Sequence, residues 1–242
     1  MAVLNDTRLR RPSAPRTLHV GDLKVSYVPD GAMPLKPAGP PHPAAYRACL
    51  NDTGHLVANI GGSLVRCGNP GPEGIEVVAF TRLHLDHVGW ASVRPPVFTR
   101  ATFVVPAGAW EGPVPVPPPA LRRRQRRVVP GEEVFPGVHV LALPGHTGFT
   151  ITSRGERLVA FGVALHSPVQ VRHPEWSPPP DPDPRGAPFR DTGTPGREAR
   201  RPVPPSVGLR GRDGKRSPLG ISIAVSPVMP WPVETRRRTR RP

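Results

Sequence analysis

Ile75-Glu76-Val77-Val78-Ala79-Phe80 runs without a break into Thr81-Arg82-Leu83-His84-Leu85-Asp86-His87. A short apolar run that stops this abruptly reads as a buried strand delivering polar groups at its carboxyl end, where open α/β sheets place their chemistry. Three of the four residues from 84 to 87 are histidine or aspartate. Such groups are costly to bury without a task, and a metal supplies one, because neutral imidazole nitrogen and carboxylate oxygen both suit zinc. The plainer alternative for the same residues is a solvated turn.

On the N-terminal side, residues 18–28 alternate apolar and polar side chains around Gly21-Asp22, the pattern of a half-buried hairpin. Residues 29–45, interrupted by Pro and Gly, read as loop, and 55–66 again reads as strand, with Gly61 and Gly62 permitting a bend or a close backbone approach. On the C-terminal side, Thr102–Val105 is a brief strand and Ala107–Trp110 the start of a helix that the prolines of 113–119 cannot continue. The Arg122–Arg127 run reads as a solvated connection. Val138–Leu143 is then a strand, Pro144-Gly145-His146-Thr147 a loop, and Thr150–Ser153 and Arg157–Phe161 two further strands about Arg154-Gly155. After Trp176 the periodic pattern stops, and Leu219–Val225 is an apolar run that looks too isolated to build a core.

Composition limits how much of the chain such elements can occupy. The 242 residues suffice for one domain, but 38 Pro and 25 Gly make roughly a quarter of them, the level at which unperiodic sequence tends toward disorder. The expected organisation is a flexible basic arm over 1–17, a folded domain over 18–176 and a disordered Pro/Arg-rich tail over 177–242. The net charge of +15 is concentrated in the arm, in Arg122–Arg127 and in the tail. It therefore reads as solvated ends and loops rather than as a nucleic-acid surface, and no reader motif accompanies it. Cys49 and Cys67 lack short metal-type spacing. No segment has signal-peptide or membrane-spanning character, so the expected compartment is the cytoplasm and no membrane partner is expected.

Val77 to Trp90, centred on His84-Leu85-Asp86-His87, resembles the His-x-His-x-Asp-His signature of metallo-β-lactamase-fold hydrolases. Leu143-Pro144-Gly145-His146-Thr147 is similar to the second motif of that family, and Phe161-Gly162-Val163-Ala164-Leu165-His166-Ser167-Pro168 to the third. The resemblance implies an α/β fold, an αβ/βα sandwich of the metallo-β-lactamase type, incomplete here and followed by a disordered C-terminal tail. By position it implies that His84 and His146 bind a first metal and Asp86 and His87 a second, with Asp86 also assigned to catalysis. The implied cofactor is zinc, up to two ions. The implied reaction is attack of a metal-bound hydroxide on a small ester, lactone or amide-like substrate.

The chain also departs from the motifs. Arg82 stands where the leading His belongs, and a guanidinium offers no lone pair. Val163 stands where the bridging Asp belongs, and no His follows His173 to serve as the late ligand. His166 is a possible substitute ligand. Four of about seven ligands remain, and catalytic zinc ordinarily takes three protein ligands, so fewer than two zincs are expected. The family's further strand, ending in an Asp-Ala-Gly turn, is absent between Val65 and Ile75. Three functions follow: an active zinc hydrolase, a catalytically impaired relative with weak or no metal binding, and a basic disordered nucleic-acid binder, the last recognisable by a steep loss of affinity with salt.

Overall fold

Ile75–Phe80 forms a strand with the bounds its sequence suggests, because both of its faces find partners. Val77 and Ala79 face one way, and Val78 and Phe80 the other. A strand covered on both sides reads as a continuous apolar run rather than an alternating one. In the computed structural model, residues 10–36, 47–68, 71–83, 85–107, 123–143, 146–162, 164 and 219–225 are described; for 85, 86, 90, 92 and 219–225 the description covers the backbone alone.

The elements in chain order are β1 (Arg16–Val20), β2 (Leu23–Leu35), β3 (Leu56–Cys67), β4 (Ile75–Phe80), α1 (Leu85–Ser92), β5 (Thr102–Pro106), β6 (Gln125–Val128), β7 (Glu133–Phe135), β8 (Val138–Leu143), β9 (His146–Ser153), β10 (Glu156–Ala160) and β11 (Leu219–Val225). They form a seven-stranded sheet in the order β1-β2-β3-β11-β4-β5-β6 and a four-stranded sheet in the order β10-β9-β8-β7. Between the sheets lies a core drawn from both, including Val20, Leu23, Val65, Ala79 and Val104 on one side and Phe135, Val138, Phe149 and Ile151 on the other. A second core, built on Val78, Phe80, Leu83, Val88, Phe103 and Val105, covers the outer face of the larger sheet. Two cores on the two faces of one sheet make the expected layered architecture.

The two sheets are also joined at a corner. Gly21 turns β1 into β2 with φ +54 and lies so close to the β9–β10 turn that a Cβ there would meet Ser153 O at 2.6 Å. The Asp22 amide donates to Ser153 Oγ (3.1 Å), the Gly21 amide to Glu156 Oε2 (2.8 Å), and Arg154 Nε to Asp22 Oδ2 (2.7 Å).

Three expectations from the sequence are corrected. Residues 29–35 are strand rather than loop, as β2 continues against β3 to Leu35 with an irregularity at Pro29/Gly31. Since β1 pairs with β2 only as far as Tyr27, this extension lies at a sheet edge, where proline is tolerated. Part of the arginine run is the edge strand β6, parallel to β5; its exposed Gln125, Arg126 and Arg127 give the edge the charge that discourages further pairing.

The third correction is the largest. Leu219–Val225 is not isolated: β11 lies between β3 and β4, antiparallel to β3 from Leu219↔Cys67 to Val225↔Gly61, and parallel to β4 from Gly220↔Ile75 to Ala224↔Phe80. It fills the place between those strands that the short connection from Cys67 to Ile75 leaves open. The rest of the expected tail and, beyond Ala107, the helix start expected over Ala107–Trp110 lie outside the described residues.

Two measurements check these contacts. Ser222 is paired on both sides, with Leu64 and Val78, so Ser222→Pro is expected to remove a ladder hydrogen bond and lower urea stability by about 2–3 kcal/mol. Gly21 and Gly54 both have positive φ, but only Gly21 is crowded. Gly21→Ala is therefore expected to lower the melting temperature clearly more than Gly54→Ala, each costing more than about 0.5 kcal/mol from backbone strain.

Candidate metal centre

The end of β4 hands the chain to α1 through three residues whose burial is uneven. Thr81 is 5 % exposed and Leu83 2 %, while Arg82 between them is half-buried. Leu83 belongs to the outer core and so holds the connection down. Helix α1 then brings His87 back beneath the end of β4. Its ring is 4 % exposed, and its Nδ1 lies 3.3 Å from Thr81 Oγ1. With the proton on Nδ1, that nitrogen donates to the hydroxyl and the lone pair sits on Nε2. Imidazoles that bind metals are commonly oriented this way, with one nitrogen held by the protein and the other left to ligate.

Thr81 also joins the first motif to the third. Gly162, which has φ +58, packs so closely that a Cβ on it would sit 2.9 Å from Thr81 Cβ. Since Gly162 follows β10, the carboxyl ends of β4 and β10 meet at one edge of the sandwich. His146 is the first residue of β9, paired with Leu143 and partly buried. It belongs to the same small sheet, one residue pair beyond Thr147↔Ala142.

The residues singled out in the sequence are thus described to different extents. His87, Arg82 and His146 have described side chains; Asp86 lies in the first turn of α1 with its backbone described. His84, Val163 and His166 lie outside the described residues. Among the described residues, no three His, Cys, Asp or Glu side chains are grouped to hold a metal. The sequence reading missed Thr81, whose only sequence signal is its place as the last residue before the motif. It also missed Gly162, which the resemblance includes but gives no task.

The same end of the larger sheet carries a perturbed tyrosine. Burial, and secondly the charge of Asp30, raises the pKa of Tyr27 above its ordinary value. Its hydroxyl donates to Ile60 O at 3.4 Å and abuts Gly61, where a Cβ would lie 2.8 Å from the phenolic oxygen.

Comparison with known proteins places this architecture. No family model matches the chain, and no curated protein matches it. Solved structures do. A hydrolase, AbOPH, of the β-lactamase superfamily is 20 % identical with a TM-score of 0.60, over 74 % of this chain and 84 % of that one. A probable metal-dependent hydrolase from Staphylococcus aureus is 16 % identical with a TM-score of 0.61, over 70 % and 83 %. AidC, a dizinc quorum-quenching lactonase in complex with a product, is 16 % identical with a TM-score of 0.60, over 72 % and 83 %. The chain therefore has the metallo-β-lactamase fold, as its motifs suggest. No helix among the described residues is long and apolar enough to cross a membrane.

The Tyr27 environment makes a testable claim about pH. A phenol whose folded pKa exceeds its unfolded value contributes stability that is complete below about pH 10 and is lost as pH rises through the folded value. Absorbance titration is expected to show tyrosinate forming above the ordinary range. Tyr27→Phe is expected to remove that high-pH component.

Proposed function

We propose that this protein is a metal-dependent hydrolase of the metallo-β-lactamase superfamily, acting on a small ester, lactone or amide-like molecule with zinc held by His84, Asp86, His87 and His146. The observation that carries this reading is the buried His87 imidazole, which Thr81 orients through Nδ1 at the junction of β4 and α1. It is supported by a fold that this chain has in common with metal-dependent hydrolases, one of them a dizinc lactonase.

The donor types of this motif fit a divalent cation of zinc type: a buried imidazole held through one ring nitrogen, in a stretch whose sequence also supplies a carboxylate and a second imidazole. Such an ion supplies Lewis acidity toward a carbonyl oxygen and activation of water. The chain's own contribution is positional. Thr81 holds the His87 ring through its Nδ1, and Leu83, packed in the outer core, fixes where the helix begins. Gly162, by its approach to Thr81, keeps the third motif against the first.

A second reading has its own support. Arg82 replaces a ligand with a cation that cannot ligate, and Val163 removes the carboxylate that would sit between two positive ions. A relative with weak metal binding and little or no catalysis follows from those two substitutions.

Metal content separates the two readings without a substrate. By elemental analysis the purified chain is expected to hold less than one equivalent of zinc. Arg82→His combined with Val163→Asp is expected to raise that content, and His87→Ala to lower it in either background. Two tightly held zincs in the unmodified chain would contradict the expected ligand deficit, and metal content indifferent to His87→Ala would remove His87 from the site.

A further inference from the structure

The outer face of the larger sheet carries a cavity of about 300 Å³. Its position follows from strand register. Val28 pairs with Gly62, Gly62 with Ala224 and Ala224 with Phe80, so one row of the sheet runs from β2 across β11 to the carboxyl end of β4. The cavity lies along that row: Leu64 of β3 and Ile75, Val78 and Phe80 of β4 line it on either side of β11, Phe98 closes one flank, and α1 contributes His87 and Gly89. Val28, Pro29 and Asp30 of the β2 extension form the opposite side.

We propose that this cavity is a binding site for an uncharged, largely apolar small molecule. Two observations support it. The volume is that of a small-molecule site, at the lower end of the usual range, and is too small to seat a helix or a second copy of the chain. The described lining contains no lysine or arginine, and its one carboxylate, Asp30, is exposed. An anion would therefore find no counter-charge there, while an apolar body would cover the exposed Val28 and the half-buried Leu64, Val97 and Phe98, a favourable exchange in proportion to the area removed from water. The site stands on the cavity and does not depend on whether a metal binds nearby.

Gly89 provides the means to test it. It lines the cavity from α1, and a Cβ there meets nothing within 4 Å, so a larger residue can occupy the space without a clash, and replacing a helical glycine favours the helix. The experiment uses the full chain with N-phenyl-1-naphthylamine, an uncharged probe that fluoresces in apolar surroundings, and its sulfonated analogue 8-anilinonaphthalene-1-sulfonate. The expected result is saturable binding of one equivalent of the neutral probe, at least tenfold weaker binding of the sulfonate, and at least tenfold weaker neutral-probe binding by Gly89→Leu, whose melting temperature is no lower than that of the parent. Gly89→Ala is expected to bind as the parent does, and EDTA to change binding less than twofold. The proposal is overturned if the neutral probe does not saturate at one equivalent, if the sulfonate binds equally well, or if Gly89→Leu folds and binds unchanged. Loss of binding on chelation alone would assign the probe to a metal centre instead, and would equally overturn it.

Discussion

Between β3 and β4 the larger sheet is bridged by β11, and the backbone ladder on its two sides is the constraint on which the rest of the molecule depends. Along one edge all seven residues of β11 meet β3, and along the other the run from Gly220 to Ala224 meets β4. On one side of it stand β1, β2 and β3, and on the other β4, β5 and β6. The inner core draws on both groups, Val20, Leu23 and Val65 from the first and Ala79, Val104 and Val128 from the second. Their common packing against Phe149 and Ile151 requires that the two groups keep a fixed spacing, and hydrogen bonding across a strand sets it at about 4.8 Å per step.

That spacing is transmitted to the candidate metal centre. Thr81 directly follows β4, and two parts of the candidate centre are referred to it: the His87 ring through a hydrogen bond, and the third motif through the close approach of Gly162. The centre is thus an edge property of the two sheets together. The corner made by Gly21, Asp22, Ser153, Arg154 and Glu156 fixes the same two sheets to each other at another point, so their relative position is set by more than apolar packing alone.

Much of this was legible in the residues, and what was not has identifiable causes. Ile75–Phe80 and Val138–Leu143 could be read to the residue because their burial imposes an apolar pattern bounded by turns. His87 was singled out in the sequence as one of three histidine and aspartate residues in a short stretch, and the structure adds that it is buried. The β2 extension was hidden by Pro29 and Pro34, which argue against a central strand and are acceptable once β1 has ended at its pairing with Tyr27. The arginines of β6 hid an edge strand, because exposed charge is as compatible with an edge as with a loop. Thr81 as the orienting partner of His87, and the outer cavity assembled from β2, β3, β4 and α1, exist only in three dimensions. Neither has a local signature, since each depends on residues that pattern reading treats separately.

The arrival of β11 so late in the chain also has a consequence for biosynthesis. Gly61 must find Val225, a pairing far more remote in sequence than those of the hairpins around it, and such contacts are slow to form. Until residues 219–225 emerge, the facing backbones of β3 and β4 present open hydrogen-bonding rims on a nascent polypeptide that is already rich in β structure. Strand rims of that kind recruit foreign strands. The seam between β3 and β4 is thus a place where the order of synthesis, and not only the finished packing, bears on folding.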